Sequence, residues 1–427
     1  MTKIPRPSFH EEKIRDYIYE FGKKLNLEVY KDNYKNVVIR KKASKGYEEY
    51  VPIALQVHID MVCEKAPGVE IDFLNDGLKY FIDGDIVSTH GRTSLGADNG
   101  LGIASILTIL SDNSLKHPEI EAIFTSSEEE DFSGAANLDG DILKARHILN
   151  LDHCVENEIL SSSAGGITVT STKKLNKIQN DDLKPFTITL SGLLGGHSGE
   201  DIHKGRGNSN ILLFRFLKYI DMPFDINSIN GGSFRLAIPR ESSITIGIED
   251  ETQLLKKRDE FLEILKLEFP KVKDLDIKIE KTSANYYYNN QFNKEIINFI
   301  LLLPVDVVFL SNFFDKMVDT SNNVGEIYIK NDNLVVISDI RASYDSQRSF
   351  VVDKITALSE ILGFNYEVWG PYYSWAFKED SPLRDLAQEI YKDIFDNLKI
   401  VPIHAGLECG FFAAKIKNAD IISIGPN

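Results

Sequence analysis

Apolar residues recur at helical spacing near the start of the chain. From Ile14 to Leu25 they return at the spacing of one helix face. Ser8 and Glu11, three residues apart in front of them, form a capping box. This pattern predicts a first helix over about residues 8–25.

Short runs of apolar and β-branched residues predict the strands that follow. They occur at residues 35–40, 50–57, 81–88, 121–125 and 147–151, and the run at 81–88 contains a glycine in its turn. Between the third and fourth runs, Asn99 is an N-cap residue that opens a helical pattern ending near Leu110. Strands that alternate with helices are typical of an α/β sheet with both faces covered. We therefore expect an α/β fold.

The pattern changes after about residue 184. Polar and apolar residues alternate over 185–190, and a glycine-rich loop then precedes a helical pattern at 210–220. Further helices are predicted at 252–267, 291–302 and 350–362, and strands at SSITIGI and NLVVISDIRAS. An amphipathic helix over 381–395 and the strand-like run ADIISI indicate a return to the first domain. We predict a first domain at 1–184, an inserted α/β domain at 185–370 and the second part of the first domain at 371–427.

Composition and charge narrow the class of protein. A chain of 427 residues with 43% hydrophobic content is long enough to bury at least two cores. Its formal net charge of −16 would repel nucleic acid and anionic membrane surfaces, so neither is expected as a partner. The sequence lacks an apolar run of roughly 20 residues and an apolar N-terminal signal, which predicts a cytoplasmic protein. Three widely spaced cysteines indicate reduced thiols.

Candidate metal ligands lie beside two of the predicted elements in the first domain, one at the end of a strand and one at the start of a helix. His58 and Asp60 end the strand at 50–57, and the acid is placed to hold the second nitrogen of a metal-bound imidazole. A histidine that is only hydrogen-bonded is the alternative. Asp98 lies among glycines just before a helix, where it is either a simple N-cap or a carboxylate that bridges two cations.

Two further groups of acids follow strands. Glu128 and Glu129 come directly after the strand at 121–125, and adjacent carboxylates point in different directions. One can therefore bind metal while the other takes a proton from a metal-bound water. The acids that come next in the run, Glu130 and Asp131, are expected to face solvent.

The strand at 147–151 ends in an acid and a histidine. Asp152 is preferred to His153 as a ligand, because the two side chains diverge after an alternating strand. Together with the three preceding groups, it brings acids and a histidine toward one edge of the sheet. A carboxylate-rich set without cysteine suits catalytic zinc, manganese or cobalt rather than a closed structural zinc site.

The sequence resembles the aminoacyl-histidine dipeptidases, also called Xaa-His dipeptidases or peptidase D, over essentially its whole length. This family lies in the clan of dinuclear zinc peptidases that includes aminoacylase and carboxypeptidase G. The resemblance rests on motifs in the same order, which are HIDMV at 58–62, LGADNG at 95–100, Glu128-Glu129, Asp152, GGHSG at 195–199, Gly207-x-x-Asn210 and HAGLECG at 404–410.

The resemblance implies a fold and a set of metal ligands. The fold is a zinc-exopeptidase-like catalytic domain, with a central mixed sheet covered by helices, plus an inserted α/β lid domain. His58 and Asp152 would hold one zinc ion, Asp98 would bridge, and Glu129 would hold the second. Cobalt or manganese could substitute for zinc.

It also implies roles in the reaction. Asp60 would orient His58, and Glu128 would be the general base that activates a water shared by the two ions. In the lid domain, His197 would stabilise the oxyanion and Arg341 would bind the substrate carboxylate. The alternatives are a surface histidine in a glycine-rich loop and a surface arginine on a strand. The residues Asn210 and His404, in two further family motifs, are also assigned to substrate binding.

One feature departs from the family pattern. Related chains continue beyond the Gly425-Pro426 pair and supply there the last histidine ligand of the second zinc. The sequence ends at Asn427, so it is either truncated or has an incomplete second metal site. If the natural protein extends further, we predict a histidine within roughly a dozen residues of Pro426, because a catalytic zinc usually takes three protein ligands.

The predicted function is metal-dependent hydrolysis of dipeptides, of the Xaa-His type and of a broader range. Two alternatives stay open, which are an N-acyl amino-acid deacylase of the same clan and a metal-binding protein without catalytic activity. The expected partner is a small peptide substrate. The resemblance leaves a homodimer open.

Overall fold

The computed structural model describes residues 1–426. They form two compact units: unit 1 contains 1–163, 374–402 and the segment from 407 onward, and unit 2 contains 164–373 and 403–406. The domain bounds predicted from the sequence stay a prediction. Within the described residues, no helix is both long and apolar enough to cross a membrane.

The helices of the described residues lie close to most of the predicted positions. They are α1 (Glu12–Lys24), α2 (Ala97–Ser111), α3 (Ser133–Asn137), α4 (Ser209–Tyr219), α5 (Glu251–Glu268), α6 (Asn293–Leu302), α7 (Asp345–Ile361), α8 (Pro382–Lys392) and α9 (Cys409–Lys415).

The strands are more numerous than the sequence pattern predicted. Those of the first half are β1 (Glu28–Lys31), β2 (Val37–Lys41), β3 (Ile53–His58), β4 (Phe81–Asp83), β5 (Ile86–Ser88), β6 (Ile120–Thr125), β7 (His147–Asn150), β8 (Glu158–Ser163), β9 (Gly165–Lys174), β10 (Lys177–Ile178), β11 (Lys184–Ser191) and β12 (Gly196–His197). Those of the second half are β13 (Asp225–Gly231), β14 (Ala237–Ile238), β15 (Ser242–Ile248), β16 (Asp276–Lys281), β17 (Tyr287–Tyr288), β18 (Asp306–Leu310), β19 (Val318–Lys330), β20 (Asn333–Ala342), β21 (Asn365–Tyr372), β22 (Lys399–Ile403) and β23 (Asp420–Ser423).

Two local predictions were wrong. The capping box does not form, because Ser8 donates its hydroxyl hydrogen bond to Asp60 instead, and α1 begins at Glu12. Asn99 does not cap α2, because the helix begins at Ala97 with Gly96 as its N-cap, and the Asn99 amide donates to Asp152. The run at 81–88 is a hairpin of β4 and β5 that turns at Gly84, with a φ of +64°, as its glycine indicated.

Unit 1 is built on a mixed sheet of eight strands, which confirms the predicted α/β fold with a central mixed sheet. The strand order is β1-β2-β6-β3-β7-β23-β8-β22. β6, β3, β7 and β23 are mutually parallel where they pair, and the pairs of β1 with β2, β2 with β6 and β23 with β8 are antiparallel. Because parallel strands run in one direction, the carboxyl ends of these four strands meet at one edge.

The apolar core of unit 1 explains why these elements pack. α1 buries Ile14 and Ile18, and α2 buries Ile103 and Ile106, against the buried side chains of β2, β3 and β6. Burying an aliphatic side chain of this size contributes about 1.5–3 kcal/mol. The helices thus hold the sheet from which the metal-ligand candidates project.

Unit 2 contains its own sheet of eleven strands. Its main path is β16-β11-β15-β13-β19-β20-β9-β21, and β10, β17 and β18 pair beside it. Helices α4, α5, α6 and α7 pack on this sheet in a separate apolar core. A small ribbon of β12 and β14 carries His197, which pairs with Ala237.

Candidate metal centre

The carboxyl edge of the parallel strands in unit 1 gathers the predicted ligands. His58 is the last residue of β3 and pairs in register with Thr125, the last residue of β6. Asp152 follows β7 by two residues, and Asp98 lies in the first turn of α2. The sheet register therefore brings residues that are distant in sequence to one place.

His58 lies at the centre of the cluster. Its Nε2 atom is 2.9 Å from Asp98 Oδ1 and 3.3 Å from Asp152 Oδ1. The imidazole is buried, Asp152 is nearly so, and Asp98 is exposed. Although burial opposes it, the three surrounding aspartates raise the pKa of His58 well above its usual value.

Asp60 joins the histidine to the glutamate loop. Its Oδ1 lies 3.3 Å from His58 Nδ1 and accepts a hydrogen bond of 3.0 Å from the Glu128 backbone N–H. Its Oδ2 accepts from the Glu129 N–H at 3.2 Å and from Ser8 Oγ at 2.7 Å. Burial would raise the pKa of Asp60, but the contact with His58 and these hydrogen bonds lower it. The fully buried carboxylate is thus held by four groups.

The paired glutamates lie beside the same histidine. Burial, together with neighbouring carboxylates, raises the pKa of Glu128 well above its usual value and that of Glu129 to about 7. Glu130 and Asp131 are exposed, as the sequence predicted. When ionised, the Glu128 and Glu129 carboxylates repel each other and the nearby aspartates, so a cation beside them is favoured.

The donor set fits divalent cations. Ligand atoms of His58, Asp98 and Asp152 all lie within 4.8 Å of one another, and so do those of His58, Glu128 and Glu129. Oxygen ligands with one imidazole match the preference of catalytic zinc and of manganese. His153 does not belong to either group, because its Nε2 lies 3.3 Å from Glu158.

The predicted lid residues lie in unit 2. His197 is half-buried, and its Nδ1 accepts from the backbone N–H groups of Gly199 and Glu200, at 3.3 and 3.2 Å. The ring proton is therefore on Nε2, which makes that atom a donor. Burial and the charge of Arg341 lower the pKa of His197, which favours the neutral ring.

Arg341 and His404 are both buried in unit 2 rather than on its surface. Arg341 Nε lies 3.6 Å from Asp339 Oδ2. His404 Nε2 is 2.8 Å from the Ser321 hydroxyl, and burial with the charge of Arg341 lowers the pKa of His404 to about 3. Burying a charged guanidinium is costly unless it is paired, so Arg341 needs an anionic partner.

Asn210 is buried at the start of α4, and its side chain has structural partners. Its amide donates to the Val324 carbonyl at 3.0 Å, and its Oδ1 accepts from the Ser242 hydroxyl at 2.6 Å. These bonds join α4 to β15 and β19 in unit 2.

Pro426 lies beside the metal-ligand candidates. It lines a cavity of about 160 Å³ together with Asp98 and Asp152.

Asn427 lies outside the described residues. The histidine expected beyond it stays a prediction.

Sequence reasoning missed Glu408, which is fully buried in unit 1. It accepts hydrogen bonds from Gln56 Nε2 at 2.6 Å and Thr125 Oγ1 at 2.7 Å, and burial raises its pKa to about 8. Gln56 in turn accepts from Asn150 at 2.6 Å. The HAGLECG motif contained this residue, but only its histidine was singled out.

Arg6 was also missed. Its guanidinium donates to the backbone carbonyls of Ile59 and Asp60, at 3.1 and 2.7 Å, and to that of Gly96. It thereby ties the end of β3 to the turn before α2. No pattern around Arg6 in the sequence signals these contacts, because its partners are 53 to 90 residues away.

Comparison with known proteins gives a family and full-length relatives. The model of peptidase family M20/M25/M40 matches residues 54–427. The cytosol non-specific dipeptidase of Escherichia coli (strain K12) is 38% identical over 438 residues, which cover 100% of this chain and 89% of that protein.

Solved structures agree with this result. The aminoacylhistidine dipeptidase of Vibrio alginolyticus superposes with a TM-score of 0.91 at 34% identity, covering 100% of this chain and 88% of that one. An aminopeptidase of Bacillus cereus, at 15% identity and a TM-score of 0.53, covers 99% of this chain and 87% of that one. The second likeness concerns the fold alone.

Proposed function

This chain belongs to peptidase family M20/M25/M40, and from that premise we propose that it is a zinc-dependent dipeptidase. The observation that carries the proposal is the cluster of His58, Asp98 and Asp152 beside Glu128 and Glu129. The names of the two full-length relatives support dipeptides as substrates, of the Xaa-His type and others. The name of the Escherichia coli relative supports a cytosolic location.

Two zinc ions are assigned to this centre. His58 and Asp152 would hold the first ion, Asp98 would bridge, and Glu129 would hold the second. The 2.9 and 3.3 Å separations between His58 and the two aspartates support the first part of this assignment. Asp98 lies 2.9 Å from His58 Nε2, and its charge adds to burial in raising the pKa of Glu129, so it lies near ligands of both ions, which supports the bridging role. Bound cations would lower the pKa of a shared water and polarise the scissile carbonyl.

Glu128 moves the proton. It takes a proton from the attacking water and returns it to the leaving amine. Its place in the loop supports this role, because Asp60 fixes the backbone N–H groups of Glu128 and Glu129, and carboxylate atoms of both lie within 4.8 Å of each other beside His58. One glutamate can therefore bind a cation while the other exchanges a proton.

Substrate recognition is assigned to residues of the predicted lid motifs. His197 donates from Nε2 to the oxyanion, and its unprotonated Nδ1 supports that tautomer. Arg341 binds the carboxylate of the dipeptide, which its buried positive charge supports. His404 adjoins them as a neutral ring, and Asn210 contributes through the backbone it holds.

The test is a panel of dipeptides and N-acyl amino acids, assayed with zinc, manganese or cobalt added. We expect turnover of dipeptides, loss of nearly all of it in Glu128→Ala with the metal content unchanged, and a lower metal content in Glu129→Ala. Glu130→Ala, in the exposed next residue, is the matched control and keeps both.

Two outcomes contradict the proposal. Hydrolysis of N-acyl amino acids without hydrolysis of dipeptides would assign a deacylase instead. Substantial activity of Glu128→Ala under saturating metal would remove Glu128 as the base.

A further inference from the structure

The loop that carries the paired glutamates is held through its backbone by two buried carboxylates. Three successive N–H groups each have a carboxylate acceptor. The Ser127 N–H donates to Glu11 Oε1 at 3.1 Å, and those of Glu128 and Glu129 donate to Asp60 at 3.0 and 3.2 Å. Hydrogen bonds to a charged acceptor are about twice as strong as neutral ones. The path of this loop is therefore set by Glu11 on one side and Asp60 on the other.

Ser127 has a backbone conformation that needs such support. Its φ is +56°, in the left-handed region, which is unfavourable for a residue with a side chain. Its hydroxyl donates a second hydrogen bond to the same Glu11 Oε1, at 2.8 Å. Two hydrogen bonds from Ser127 to one carboxylate offset the cost of the turn. The residue that follows this turn is Glu128.

Glu11 is itself fixed. It is fully buried, its Oε1 also accepts from the Phe9 N–H at 2.8 Å, and its Oε2 lies 3.0 Å from Lys35 Nζ. Lys35 in turn lies 2.9 Å from the half-exposed Glu12. A buried carboxylate with a cation and three N–H or O–H donors keeps one orientation. Glu11 can thus act as a rigid anchor for the turn.

We propose that Glu11 is a positioning residue of the peptidase reaction, whose carboxylate holds the Ser127 turn and so aims the Glu128 side chain at the attacking water. This inference rests on the proposed function, in which Glu128 is the base. Displacement of a reacting group by about 1 Å can cost roughly 100-fold in rate. Removal of the Glu11 carboxylate is therefore expected to lower kcat.

The test compares Glu11→Ala with Glu12→Ala in the metal-loaded full chain. The two residues are adjacent and share Lys35, but only Glu11 contacts Ser127. We expect Glu11→Ala to lower kcat by about 10- to 100-fold with KM within about twofold. Glu12→Ala is expected to keep the wild-type values. Glu11→Gln, which keeps an acceptor oxygen toward Ser127, is expected to recover part of the loss.

A double-mutant cycle separates positioning from simple loss of stability. Ser127→Ala removes the hydroxyl bond, and in the Glu11→Ala background it should lower kcat by less than it does in the wild type, because its partner is already absent. The pH profile of kcat/KM should change on its acidic side in Glu11→Ala, whereas a smaller folded fraction would lower the whole profile without changing its shape.

The inference is overturned if folded Glu11→Ala matches Glu12→Ala in kcat. It is also overturned if its lower activity tracks only the folded fraction or the metal content. Should Glu11→Ala fail to fold, the kcat of Glu11→Gln and Ser127→Ala decides, and wild-type values in both would reject it. An active Glu128→Ala would instead reject the proposed function, so the two failures are distinguishable.

Discussion

Replacing Asp60 by asparagine changes the group that joins the histidine to the glutamate loop. Asp60 is fully buried and accepts from Ser8 Oγ, Glu128 N–H and Glu129 N–H, at 2.7, 3.0 and 3.2 Å. Its Oδ1 also lies 3.3 Å from His58 Nδ1. Asparagine has nearly the same shape but lacks the charge and has one acceptor oxygen. At least one loop N–H therefore loses its acceptor inside the protein.

The expected magnitude follows from these contacts. A hydrogen bond to a charged group contributes about 1.5–3 kcal/mol, and a buried donor without a partner costs about 1–3 kcal/mol. We expect Asp60→Asn to lower the free energy of unfolding of the metal-free protein by about 2–4 kcal/mol. Because the carboxylate also orients His58, metal affinity should fall by about 10- to 100-fold.

Two measurements check this expectation. Urea unfolding of the chelator-treated protein gives the change in stability, and competition with a chromogenic chelator gives the metal affinity. Ser8→Ala is the matched control, because it removes one donor and leaves both loop N–H groups with their acceptor. It should cost about 1 kcal/mol. If Asp60→Asn matched Ser8→Ala in both measurements, the argument that Asp60 organises the loop and the histidine would be refuted.

Three further predictions concern protons and the oxyanion. Zinc binding to the metal-free protein at pH 7 should release roughly one to two protons, because the pKa of His58 is raised well above its usual value and that of Glu129 to about 7. Calorimetry in buffers of different ionisation enthalpy measures the number of protons released. The absence of any release would contradict the prediction. His197→Ala should lower kcat by about 100-fold or more while KM changes little, and equal steady-state constants would remove His197 from the mechanism. Burial raises the pKa of Glu408 to about 8, whereas in the unfolded chain this carboxyl has its ordinary pKa of 4.5. Between these two values the folded metal-free protein keeps a proton that the unfolded chain has lost. The free energy of unfolding should therefore fall as the pH rises from about 5 to 8. Glu408→Gln should flatten that dependence in urea unfolding, and parallel curves for the two proteins would contradict the prediction.

The sequence alone determined the parts of the centre that depend on short segments. His58 and Asp60 are two residues apart at a strand end, and Glu128 and Glu129 are adjacent, so their chemistry can be recognised from local spacing. The α/β fold was equally predictable, because alternating apolar runs mark strands and helices wherever one face is buried. Ordered motifs along the whole chain then identified the family before any contact was known.

Local pattern failed where a distant group competes for a side chain. Ser8 was expected to cap α1, but Asp60, 52 residues away, takes its hydroxyl. Asn99 was expected to cap α2, but Asp152 accepts from its amide. A capping rule counts only neighbours in sequence, whereas a buried carboxylate that needs donors binds whichever donor the fold brings to it.

Only the tertiary structure decided which buried polar residues serve the site. Glu408 lies 352 residues from Gln56 and 283 from Thr125, yet it binds both. Glu11 meets Ser127 across 116 residues. Such pairs have no sequence period, because the sheet order and register set them rather than the repeat of a helix or strand. The sequence therefore determined which groups could do the chemistry, and the packing of distant segments decided what holds them in place.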